Sequence, residues 1–298
     1  MNRLGKILAL VLAVQLLLVV VVFWPQSNEA EGTANSALLT FDADTVNRIA
    51  ISDADNTVIL SRNEDGWRMP EYHGLPVDME KLSAALSVLP GLPRGWPVAN
   101  SSSARARFEV AADEFQRRVD YMLNEQSIVS LLVGTSPGFR KVHVRIADAD
   151  PIYAVKFNSF DLPAQAAEWL DKTLLQVADV QAVNGLDYNI RRSDDGWQSD
   201  SELVPNAAEV EKLMNGFSSL RVTGAADIAL AAILEDMQVP PTLTVETTAG
   251  DYEYRLFEVD ETYYINRADI GVYFDLSAFD YDRLNEVNAA SLQPPVEE

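Results

Sequence analysis

The sequence predicts an α+β protein: an N-terminal transmembrane helix followed by two tandem repeats. Each repeat is expected to be an antiparallel β-meander with one main helix and a short closing helix. Three observations carry this expectation. The chain opens on a long uncharged apolar run, a set of motifs recurs in the same order in both halves, and short alternating apolar segments are separated by turn residues.

The first element is the run Ile7–Trp24, which holds no charge. As a helix its 18 residues reach about 27 Å, close to a bilayer core of about 30 Å. Gln15 is its one polar interruption, and an amide in hydrocarbon favours a hydrogen bond to a neighbouring helix or faces lipid and water defects. Arg3 and Lys6 precede the run, whereas Glu29 and Glu31 follow it, so the N-terminus is expected in the cytoplasm and the body outside. The run is longer than a signal-peptide core, and Phe23-Trp24-Pro25-Gln26 is a poor cleavage context. The expected divisions are a stub and anchor over 1–24, a flexible linker over 25–41, repeats over 42–175 and 176–288, and a tail over 289–298.

The repeat is read from four matches. Arg62-Asn63-Glu64-Asp65-Gly66-Trp67 answers Arg192-Ser193-Asp194-Asp195-Gly196-Trp197. Glu80-Lys81-Leu82 with Leu86 and Leu89 answers Glu211-Lys212-Leu213 with Phe217 and Leu220. Phe108-Glu109-Val110 answers Met237-Gln238-Val239, and Phe160-Asp161-Leu162 answers Phe274-Asp275-Leu276. Gly66, Trp67, Leu82, Gly196, Trp197 and Leu213 are therefore the positions expected to be structurally equivalent.

Within the first repeat, Val46–Ile51 and Thr57–Arg62 read as strands joined by a turn at 53–56. Asp78 caps a predicted helix over Met79–Leu89, which Pro90-Gly91 stops. Phe115–Leu123 alternates, and strands follow over Ile128–Val133, Lys141–Ile146 and Ile152–Phe157. In the second repeat Asn206 and Glu209 form a capping-box pattern for a helix over Ala207–Leu220. Strands follow over Leu243–Thr247, Tyr252–Val259, Thr262–Arg267 and Val272–Leu276.

Composition closes many chemistries. There is no cysteine, so no thiolate ligand, disulfide or thiol nucleophile exists. The two histidines, His73 and His143, have no ligand neighbour at metal spacing. A net charge of −22 repels phosphate backbones, so no nucleic-acid partner is expected. The Asp53-x-Asp55 stretch with Glu64 lacks the glycine of a calcium loop and reads as turn chemistry. No G-x-S-x-G elbow or phosphate loop is present. The chain is read as a non-enzyme without catalytic residues, cofactor or metal. Charge is uneven: basic residues gather between Arg94 and Arg145, whereas residues 223–298 hold only Arg255, Arg267 and Arg283 against a large excess of acids. A docking surface of opposite-sign patches and a solvated acidic surface both fit this pattern.

The ordered set of an N-terminal span, Asp65-Gly66-Trp67, the Leu82/Leu86/Leu89 helix, Phe115-Gln-Arg-Arg-Val119, Leu132-Val-Gly134 and Tyr153-Ala-Val155 resembles a bacterial family. It is similar to the domain-of-unknown-function family encoded beside gliding-motility-type (Gld) ABC transporters. The resemblance implies a membrane-anchored extracytoplasmic accessory or scaffold subunit, working with a polytopic permease and an ATPase at the bacterial inner membrane. The alternative is a periplasmic binding module for a cell-envelope ligand such as a glycan, with Trp67 and Trp197 as stacking platforms.

Overall fold

The computed structural model describes residues 12, 15, 35–199, 205–237 and 240–293. The transmembrane helix expected over Ile7–Trp24 lies outside the described residues apart from Leu12 and Gln15, which are helical and exposed. Among the described residues no helix is long and apolar enough to cross a membrane.

The expected α+β class is corrected: the described chain is mostly β, built on two eight-stranded antiparallel sheets with few helices. In the first half the strands are β1 (Arg48–Ser52), β2 (Thr57–Asn63), β3 (Gly66–Met69), β4 (Leu75–Pro76), β5 (Arg117–Leu123), β6 (Gln126–Val133), β7 (Val142–Ile146) and β8 (Ile152–Val155). They lie in the order β4-β3-β2-β1-β5-β6-β7-β8. The second half has β9 (Val180–Asn184), β10 (Asn189–Ser193), β11 (Gly196–Ser199), β12 (Val222–Ala225), β13 (Thr242–Thr247), β14 (Asp251–Val259), β15 (Thr262–Arg267) and β16 (Tyr273–Leu276). Their order is β11-β10-β9-β13-β14-β15-β16-β12. Seven strands of each sheet thus follow one pattern, and the eighth sits at opposite edges.

The pairing that creates these wide sheets is non-local. Ile51 of β1 faces Val119 of β5, and Val183 of β9 faces Val245 of β13. Each joins an N-terminal strand-turn-strand to the later meander. Apolar periodicity reports which face a strand buries but not which distant strand it meets, so separate small meanders were expected.

The first expected helix, Met79–Leu89, forms and runs two residues further, through the Pro90-Gly91 expected to stop it, whereas the second ends two residues early, at Ser218. The first, α1, runs through Met79–Ser83, a π-helical Ala84–Val88 and Leu89–Gly91. Pro90 lacks the N–H that would continue the ladder, and the wider π turn precedes it. Next come α2 (Ser102–Arg107), α3 (Ala207–Ser218), α4 (Ile228–Glu235) and α5 (Ala278–Asn285). The closing helix expected in the first half is two 3₁₀ turns, Ser159–Asp161 and Ala166–Trp169. Asn206 caps α3 by accepting from the Ala208 N–H at 3.0 Å.

The described residues divide into two compact units. One holds the described residues through Arg68 together with Met79–Gln165, and the other holds Met69–Asp78 with the described residues from Ala166 onward. In the first unit Leu82, Ala85 and Leu89 of α1 are buried, as are Ile49, Ile51, Leu60, Val119 and Tyr121 of the sheet. The Tyr121 hydroxyl donates to the Ala85 carbonyl, so the one polar atom of that ring is satisfied. In the second unit Val210, Leu213 and Phe217 of α3 are buried, as are Val183, Ile190, Val245 and Tyr254. The Phe217 and Tyr254 rings lie 5.5 Å apart, and Tyr254 donates to the Leu175 carbonyl. Burial pushes the Tyr254 phenol up to about 12.

Two stretches expected as linker and tail are partly built in. Leu38 and Leu39 are buried, and their N–H groups bond to the carbonyls of Leu92 and Pro90. Leu292 is buried and its carbonyl accepts from Asn206.

Candidate functional site

The repeated positions are packing positions of unequal depth. Gly66 and Gly196 have φ of +102° and +119°, which the tight turn after each Asp requires. Trp67 stands opposite Arg62 on β2, and Trp197 stands opposite Arg192 on β10. Trp67 is 6% exposed, whereas Trp197 is half-buried. Leu82 and Leu213 are fully buried. Gln15 is exposed.

A concavity lies elsewhere, beside the β9–β10 hairpin, with a volume of ≈ 510 Å³. The loop Asn184–Asn189 forms one wall, and Ser199, Leu292 and Gln293 contribute to the rest. Gly185 shapes the loop: a Cβ there would stand 2.2 Å from the Tyr188 ring, so only glycine lets that ring fold across. The loop is closed by Gly185 N–H donating to the Tyr188 carbonyl at 2.9 Å and by the Asn189 side-chain amide Nδ2 donating to Asn184 Oδ1. Asp187 accepts from the Ala289 N–H at 3.1 Å. The Tyr188 hydroxyl is buried and has no hydrogen-bond partner among the described residues. Burial, with the Asp187 carboxylate beside it, pushes this phenol well above its ordinary range, so it stays protonated. The walls combine amides, hydroxyls and leucines with the one carboxylate of Asp187, a set that suits an uncharged ligand with both polar and apolar faces.

His143, Arg145, His73 and Tyr72 each bond to groups of their own unit. His143 is buried, its Nδ1 lies 3.0 Å from Thr135 Oγ1, and its ring stacks at 4.1 Å on Phe108. Burial holds its pKa below the usual histidine value, and Arg107 adds to this. Arg145, also buried, donates to the carbonyls of Val110, Ile146, Ala147 and Ala149. His73 places Nε2 at 3.2 Å from the Ala226 carbonyl, and the neighbouring Tyr72 hydroxyl accepts from the Ala225 N–H at 2.7 Å. Asp275 is half-buried near them, and burial raises its carboxyl pKa. Tyr72 is raised too, by burial and then by the Asp275 charge.

The acidic turn at 53–56 is occupied by its own hydrogen bonds. Asp53 accepts from the N–H groups of Asp55 and Asn56, and Arg117 stands 3.2 Å away. Burial alone would raise the Asp53 pKa, but these partners outweigh it and hold the carboxyl below its ordinary value. Among the described residues no group of three or more His, Asp or Glu side chains could hold a metal ion.

Sequence reasoning named Asp275 only as part of a repeat match and did not single out Tyr188. The Asn184–Asn189 stretch, rich in Asn, Gly and Asp, carried a turn signal, but the tail that completes its cavity is a hundred residues away.

A family model described as Domain of unknown function (DUF4340) matches residues 67–238, more than half of the chain. No curated protein and no solved structure matches it.

Proposed function

The chain belongs to the DUF4340 family of domains of unknown function, and from that premise we propose that it is a non-enzymatic, extracytoplasmic accessory or scaffold subunit of a gliding-motility-type ABC transport complex. One observation carries this reading: four buried titratable side chains, His143, Arg145, Tyr121 and Tyr254, are spent on structure. His143 and Arg145 bond to groups of their own unit, and Tyr121 and Tyr254 close on backbone carbonyls. Side chains buried in such contacts are out of hydrogen-bond reach of a substrate at the surface. The uncharged Ile7–Trp24 stretch, with cations before it and acids after it, supports a location at the bacterial inner membrane with the body in the periplasm. The partners are then a polytopic permease and its ATPase, because the chain carries no phosphate loop to power transport.

The test is affinity purification of the full-length chain from membranes in mild detergent. Co-recovery of a permease and an ATPase of one transporter supports the proposal. Recovery of the chain with no transporter subunit sinks it.

The cavity at the β9–β10 hairpin favours a second reading, a binding module for a cell-envelope glycan. A half-apolar, half-amide wall with a protonated phenol matches a sugar's mixed faces. Calorimetric titration of the full-length chain with cell-wall oligosaccharides decides it. A binding heat that Leu186→Asp and Gln293→Ala abolish supports the module, and no heat rejects it.

A further inference from the structure

We propose that copies of this chain associate head to tail, the β6–β7 turn of one copy seated on the outer face of α4 of the next. The two surfaces are opposite in charge, apolar at their centres and unpaired in the described residues.

The first surface is a stiff tip. Gly138–Lys141 is a turn closed by the Lys141 N–H on the Gly138 carbonyl at 3.1 Å. Phe139 and Arg140 have φ of +54° and +56°, the type I′ conformation that glycine and asparagine usually fill. Ser136 Oγ braces it, donating to the Lys141 carbonyl at 2.7 Å and accepting from the Gly138 N–H at 3.1 Å. The tip presents Phe139 at 95% exposure. Beside it Arg140 and Lys141 are exposed, and neither has an ion-pair partner among the described residues.

The second surface is helix α4, IALAAILE, of which only Leu234 is buried. Ile228, Ala229, Ala232 and Ile233 fall on one side at helical spacing and are exposed, Ile228 at 84% and Ile233 at 56%. Asp227, Glu235 and Asp236 edge this face. Asp227 caps the Leu230 N–H, and none of the three has an ion-pair partner among the described residues.

Charge complementarity selects the occupant. An apolar helix face edged by carboxylates accepts an apolar residue flanked by cations and rejects an anionic one. The chain itself carries that complement, a phenylalanine followed by Arg and Lys, in its first half. The net charge of −22 opposes approach at long range, but salt screens it beyond about 8 Å while contacts within the patch persist. One aromatic tip on one short helix is a small interface, so the association is weak and reversible. The two patches differ, so the contact is heterologous and generates open rows or rings rather than a two-fold dimer.

The absence of cysteine makes the test clean. Full-length chains with Phe139→Cys and with Ile233→Cys, carrying different tags, are mixed in detergent and oxidised. The expected product is a mixed disulfide, formed in preference to like pairs and to a Leu186→Cys control at another exposed site. Arg140→Glu with Lys141→Glu lowers its yield about tenfold, and Glu235→Lys with Asp236→Lys in the partner restores it. A mixed yield no higher than the Leu186 control overturns the proposal, as does indifference to charge reversal. So does a disulfide confined to single chains when both cysteines are placed in one molecule.

Discussion

The Tyr121 hydroxyl donates to the Ala85 carbonyl at 2.7 Å, joining the middle of β5 to the π-helical turn of α1. A π turn leaves carbonyls without their usual i→i−4 donors, and here a buried side chain supplies one. Tyr121→Phe keeps the ring and removes the donor. It is expected to destabilise the protein by about 1–3 kcal/mol, read from urea denaturation. No change would mean that the carbonyl finds another donor.

Asp275 and Asp53 are expected to respond to pH in opposite senses. Burial raises the Asp275 pKa above the ordinary aspartate value of 3.8, so ionising it costs the folded state more than the unfolded one. Its favourable contribution is complete below pH 3.8 and is lost as pH rises through the folded pKa. Asp275→Asn should therefore raise Tm at neutral pH, with the gain vanishing at acid pH. The Asp53 pKa is lowered, so its contribution is present above pH 3.8 and is lost as pH falls through the folded pKa. Asp53→Asn should lower Tm at neutral pH and match the wild type in strong acid. Calorimetric melts across pH 2–7 read both signs.

Arg145 donates to four backbone carbonyls around residues 110 and 146–149 from a buried position. A planar guanidinium reaches several acceptors at once, whereas an ammonium is a single point. Arg145→Lys is expected to cost about 3 kcal/mol despite keeping the charge, measured by chemical denaturation. A loss equal to that of an exposed Arg→Lys control would show that the carbonyls are indifferent to the fork.

The two repeated tryptophans should separate on truncation. Trp67 is 6% exposed, so Trp67→Ala should cost about 3–5 kcal/mol, as other buried aromatics do. Trp197 is half-buried, and Trp197→Ala should cost about 1–2 kcal/mol. Acrylamide quenching of single-tryptophan variants gives an independent check, with Trp197 the more accessible indole.

Local chemistry was the legible part of this sequence. The turn at Asp53–Asn56, the cap at Asn206 and the paired Asp-Gly-Trp turns each depend on a few adjacent residues, and each forms where those residues stand. Illegible features depend on distant partners. The pairing of Ile51 with Val119 spans the whole of α1 and α2, and it turned an expected α+β arrangement into broad sheets. Helix α4 was missed although Asp227 caps it, because an apolar octad with an exposed face shows no amphipathic period. The candidate cavity was illegible for the same reason: Tyr188 and Leu292 meet only through the fold.

The assignment of Met69–Asp78 to the second compact unit bears on how the chain can be made. A ribosome delivers these ten residues long before Trp169 and Asp171, whose backbone groups bond to Asp78 and Pro76. Met69, Leu75 and Val77, all buried in the finished protein, must wait through the synthesis of α1 and of β5 to β8 before their unit is complete. Gene-splitting at the apparent repeat boundary would therefore yield a leading fragment with three orphaned apolar side chains and a trailing fragment missing one strip of its own wall. Neither would be a self-sufficient folding cassette, and shuffling one repeat between relatives would require carrying that strip with the half that encloses it.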